Sequence, residues 1–109
     1  MQSIQHVVSI TIDPNGNPVP LNGLNVTVKR GEFLSWTSSH GTVQVLFQHG
    51  SPFGPGTDKG DDTPRMVQAV DGEYKYRCTV TSFDGRTKQG WPDNEKGGGG
   101  VDVSGDRKN

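Results

Sequence analysis

The chain is short of the residues that staple a fold or carry it across a membrane. It holds one cysteine, Cys78, so no disulfide can form within it. Small secreted β-domains with thin cores often carry disulfides, and their absence leans this chain toward a reducing compartment. No run of about 18 apolar residues occurs, which excludes a membrane-spanning helix. An excess of either charge is also lacking: 11 Lys and Arg against 12 Asp and Glu give a formal charge of −1 over 109 residues. That balance gives no electrostatic ground for a nucleic-acid or anionic-membrane partner. Hydrophobic residues make up only 28%, whereas glycine and proline number 16 and 7. This composition argues against a helical bundle and for short strands joined by many turns.

The length fits one domain over residues 1–109, with a core over about 3–104 and a tail at 105–109. The opening Met1-Gln2-Ser3-Ile4-Gln5-His6 has neither the basic nor the apolar region of a signal peptide. The default expectation is therefore cytoplasmic, or periplasmic or secreted for a domain whose leader has been trimmed.

What is present is alternation. Ile4, His6, Val8, Ile10 and Ile12 share one phase of a first strand, stopped by Asp13-Pro14-Asn15-Gly16-Asn17-Pro18. Leu24, Val26 and Val28 mark a second, and Leu34 and Trp36 one face of a third, with Phe33 on the other. Val43, Val45 and Phe47 give the inward face of a fourth. Residues 50–62 hold four glycines and two prolines without periodicity and read as a surface excursion, with Phe53 pinning it to the body. A short fifth strand sets Met66, Gln68 and Val70 against Val67 and Ala69. After the Asp71-Gly72 hairpin signal, Tyr74, Tyr76, Cys78 and Val80 face inward on a sixth strand, with Lys75, Arg77, Thr79 and Thr81 toward water. Val101 and Val103 close the fold. About seven such strands predict an all-β, antiparallel Greek-key β-sandwich, with an immunoglobulin-like sandwich as the alternative.

Little in the chain carries chemistry. There is no Gly-x-Ser-x-Gly elbow, no His-Glu-x-x-His and no phosphate-binding loop, so no catalytic activity is expected. Asp58, Asp61 and Asp62 lack the spacing of a known calcium loop. Cys78 lies in phase with apolar neighbours and reads as a small core hydrophobe, while His6 reads as a semi-buried, hydrogen-bonded residue and His49 as exposed. The stretch from Ser82 to Gly100 is long for a connection and carries Phe83, Asp84, Arg86, Lys88, Trp91, Asp93 and Asn94. An aromatic residue beside polar side chains is what a glycan- or protein-binding surface uses. Trp91 folded back as a plug on the sandwich is the competing reading.

The order of these signals resembles one family. Lys29-Arg30-Gly31-Glu32-Phe33-Leu34-Ser35-Trp36 looks like the basic-x-Gly-acidic-x-x-x-Trp hairpin of cupredoxins, and Gly72-Glu73-Tyr74-Lys75-Tyr76-Arg77-Cys78 is similar to their Gly-x-Tyr-x-Tyr-x-Cys strand. Val101-Asp102-Val103 fits their closing strand. The resemblance, to the small plastocyanin-like kind, runs from about Leu24 to Ser104. It implies a cupredoxin-like sandwich and, in working members, copper held by two imidazoles, a thiolate and a weak axial ligand. Here the position matching the first His is Val43, and no His or Met follows Cys78.

The leading expectation is a non-catalytic binding module without that copper and without another cofactor. Its ligand-binding end joins Ser38, Ser39 and His40 to Phe83, Asp84, Arg86, Trp91 and Asp93, and its ligand is a small molecule, a glycan or a protein. One alternative is a copper or zinc protein using Cys78 and His40, for electron transfer or metal handling. Another is a structural subunit that self-associates through strand edges, a homo-oligomer.

Overall fold

A computed structural model describes residues 4–21, 23, 25–54, 56–90 and 98–104. Among these there is no helix, and ten strands form two sheets. β1 (Gln5–Ile12), β2 (Pro18–Pro20), β4 (Phe33–Ser38) and β7 (Arg65–Met66) make a four-stranded sheet in the order β2-β1-β4-β7. The second sheet runs β3 (Asn25–Val28), β10 (Gly99–Val103), β8 (Gly72–Thr81), β5 (Thr42–Phe47) and β6 (Lys59–Gly60), with β9 (Lys88–Gly90) also paired to β8.

The sheets are mixed, which corrects the expectation of purely antiparallel pairing. β1 lies parallel to β4, with Gln5 opposite Phe33 and Ile10 opposite Ser38, and β3 lies parallel to β10. Parallel neighbours need a crossover between them. Between β1 and β4 the chain supplies one by forming β2 and then crossing to the other sheet for β3.

The apolar phases meet between the sheets. Val8, Ile10, Leu34 and Trp36 from the first pack against Val28, Val43, Val45, Phe47, Tyr76, Cys78, Val80, Val101 and Val103 from the second, all buried. Trp36 is the hub of an edge-on aromatic cluster, its ring centre 5.4 Å from Tyr76, 5.9 Å from Phe47 and 6.1 Å from Phe53. Phe53 reaches this cluster from the glycine-rich excursion, as the Pro-Phe-Gly sequence suggests. Gly60 is where Trp36 meets the far sheet: a Cβ there would overlap Cζ3 and stand 2.9 Å from Cε3. Only glycine lets the backbone pass so close to the indole.

Three further expectations change in detail. The fifth strand shrinks to Arg65–Met66, because Val67 leaves the ladder of β4 to bond the turn before it, donating its N–H to the Glu32 carbonyl and accepting that of Gly31. The excursion at 50–62 and the connection from Ser82 each contain a short strand, β6 and β9, that apolar periodicity cannot reveal in so few residues. Thr79, expected in water, is buried, because β5 and β9 flank it on both edges of β8, opposite Gln44 and Gly90. His6 is half-buried and bonded to Glu32, its Nε2 2.8 Å from Oε1.

Candidate functional site

β8 runs out of the sheet at Thr81, and its hairpin to β9 is short and closely tied. The Ser82 N–H donates to the Thr87 carbonyl at 2.7 Å, the Gly85 N–H to the Ser82 carbonyl at 2.8 Å, and the Thr87 N–H to Ser82 Oγ at 3.0 Å. Asp84 locks the turn from inside. Its Oδ1 accepts the Ser82 hydroxyl at 2.6 Å and the Arg86 N–H at 3.0 Å. These bonds, the Ser82 hydroxyl first, hold the Asp84 carboxyl below the usual carboxylate range. Gly85 takes a φ of +77° that a side chain would resist. The turn therefore presents Phe83 with 75% of its surface in solvent.

The register places the other predicted loop beside it. Thr42 pairs with Thr81, so the turn between β4 and β5 reaches the base of the β8–β9 hairpin. Gly41 packs so tightly there that a Cβ would overlap the Thr81 carbonyl and stand 2.9 Å from the Ser82 Cα. Ser38 is buried, and its Oγ accepts the His40 N–H at 3.0 Å, while Ser39 and His40 are exposed. Ser38, Ser39 and His40 thus share one end of the molecule with Phe83, Asp84 and Arg86. Trp91 and Asp93, together with Asn94, lie outside the described residues.

β9 and β10 carry a feature that periodicity did not reveal. Thr79 and Val80 pair with both β5 and β9, so β9 lies on the edge of β8 that β10 occupies further along. Gly90 faces Thr79 and Gly99 faces Tyr76, so nine steps of one side oppose three of the other. The two short strands are one partner of β8, interrupted by an insertion far larger than a single-residue bulge. That insertion spans the predicted Trp91 loop, whose unusual length the sequence shows, although not that short strands pair with β8 on either side of it.

The residues of the metal alternative are set apart. Cys78 is opposite Val45, three positions or roughly 10 Å along β5 from Thr42, and His40 lies beyond Thr42 in the turn between β4 and β5. Its Sγ is buried 3.7 Å from the Pro18 carbonyl, and burial pushes the thiol up to about 12, well above the range where a thiolate is available. Among the described residues no group of three or more His, Cys, Asp and Glu side chains gathers to hold a metal. The residues present do not fit the thiolate-and-imidazole centre that the family resemblance implies. Asp58, Asp61 and Asp62 form no such group either; Asp61 instead holds Arg65 at 3.4 Å and caps the Thr63 N–H.

The fold and this end define an all-β protein with a pre-formed loop end. Comparison with family models, curated proteins and solved structures found no match to the chain.

Proposed function

We propose that this is a non-catalytic interaction module, cupredoxin-like in plan, that meets a protein partner through the end built from residues 38–41 and 82–87. The observation that carries this reading is Phe83: a large aromatic side chain, three-quarters exposed, on a turn fixed by five hydrogen bonds. A rigid aromatic anchor loses little conformational freedom on binding, and such residues dominate the energetics of protein interfaces. The flanking Ser39, His40 and Arg86 supply the polar rim that surrounds a buried anchor. Support for the cupredoxin-like plan is the placing of its three motif segments, which fall on the β3–β4 turn with β4, on β8 and on β10.

The test is selection of displayed peptides against the intact protein, followed by counter-selection on Phe83→Ala. Ligands that depend on Phe83 support the module. If every selected ligand binds both proteins equally, the Phe83 end is not the site.

Self-association keeps one specific observation in its favour. On the outer face of the four-stranded sheet Val7 and Met66 are exposed beside half-buried Phe33, in a row of Ser, Thr and Gln without charge. Sedimentation as a dimer that Val7→Lys dissociates would establish it, and a monomer at high concentration would remove it.

A further inference from the structure

An open cleft lies away from Phe83, at the end of the sandwich reached by Phe47 and the start of β8. It encloses about 550 Å³ between the glycine-rich excursion, Gln68-Ala69 and Tyr74, within the size range of small-molecule sites. Tyr74 is half-buried, packed on one side against the core. Its hydroxyl donates to the Asp71 carbonyl at 3.0 Å, which fixes the far end of the ring.

Glycines stand at both edges of that ring. A Cβ on Gly50 would be 3.7 Å from Cε1, and one on Gly72 would be 3.1 Å from the hydroxyl oxygen and 3.3 Å from Cε2. Neither position puts a side chain over the ring. The cleft wall is also held in place rather than loose: Phe53 is sunk in the aromatic core, and the Gln68 and Ala69 N–H groups both donate to the Pro52 carbonyl, at 2.8 and 3.1 Å.

We propose that this cleft binds a neutral saccharide, one sugar ring stacking its apolar C–H face on Tyr74. Hydroxyl groups need partners that both donate and accept, and the lining supplies them. The Gln68 side-chain amide does both, and the exposed Asp58 carboxylate accepts. Ser51 Oγ accepts the Phe53 N–H at 3.0 Å and keeps its own proton to donate. Among the described residues no Lys or Arg lines the cleft and Asp58 does, so its charge disfavours phosphate, sulfate or uronate ligands. This site is separate from the Phe83 end, and either can fail without the other.

The intact ¹⁵N-labelled protein is titrated with a panel of neutral tetrasaccharides, namely cello-, chito-, malto- and mannotetraose, with a glucuronate oligomer and a proline-rich peptide as rivals. The expected result is that at least one neutral sugar shifts the amide resonances of Gly50, Gly54, Gln68 and Tyr74 and leaves Ser82–Thr87 unmoved. Gln68→Ala, at an exposed position, should weaken that binding about tenfold, while Tyr74→Phe keeps the platform and retains most of it. The proposal is overturned if no neutral sugar shifts these resonances, if Gln68→Ala binds as well as the parent, or if the uronate or the peptide is the ligand that occupies the cleft.

Discussion

Raising the pH above 9 should weaken this protein through Cys78, and the size of the effect can be worked out. The folded thiol is pushed by burial from the ordinary 9.0 to about 12, whereas the unfolded chain releases the proton near 9. Between these values the unfolded state sheds a proton that the folded state retains, so stability is intact below pH 9 and falls as pH rises through 12. At 1.36 kcal/mol per unit the loss from this group is about 1.4 kcal/mol at pH 10 and about 2.7 kcal/mol at pH 11. Tyr76, raised by the same burial, steepens the fall above pH 10. Chemical denaturation of the parent and of Cys78→Ala, at pH 8, 10 and 11, isolates the thiol, because everything else titrates alike in both. The substitution itself should cost about 1 kcal/mol at pH 8 for a small cavity, and that deficit should vanish near pH 10 and reverse at pH 11. A parent and variant that lose stability in parallel over this range would refute the reasoning, and so would rapid labelling of Cys78 in the folded protein at pH 8.

Other outcomes follow from single contacts. Gly60→Ala drives a methyl group into the Trp36 indole and should cost about 1–3 kcal/mol, a fall in Tm of about 4–8 °C per kcal/mol that calorimetry would register. Glu32 accepts His6 and the Lys29 N–H, both at 2.8 Å; burial works against its charge, but these bonds outweigh it and lower its pKa. Glu32→Ala should therefore lose about 1 kcal/mol at neutral pH. The deficit should shrink as pH falls from 4.5, where the unfolded chain takes up the proton, through the lower pKa of the folded carboxylate, and denaturation at pH 3 and 7 checks this.

Much of the core was legible because alternation is a local property. Val43, Val45 and Phe47, and Tyr76, Cys78 and Val80, fall on the buried side as their phase requires. That the Ser38–Gly41 turn and the Phe83 hairpin share one end is implied by the cupredoxin resemblance and not by alternation; the pairing of Thr42 with Thr81 is what brings them together. Parallel pairing of β1 with β4 was not legible, since periodicity tells which face a residue takes and nothing about which distant strand lies beside it. Thr79 was misplaced on the same ground: its burial depends on neighbours across the sheet. The saccharide cleft went unseen because it is made by absence, with glycines flanking Tyr74 from two segments that the sequence separates.

The most direct test of the interaction module is calorimetric titration of Phe83→Ala beside the parent, using a peptide ligand selected on the parent. Phe83 is exposed and its turn is held by Ser82, Asp84 and backbone groups, so the variant should melt within about 0.5 kcal/mol of the parent and bind at least about tenfold more weakly. Unchanged affinity in a stable variant would contradict the account. A marked loss of stability would do so equally, by making Phe83 a structural residue.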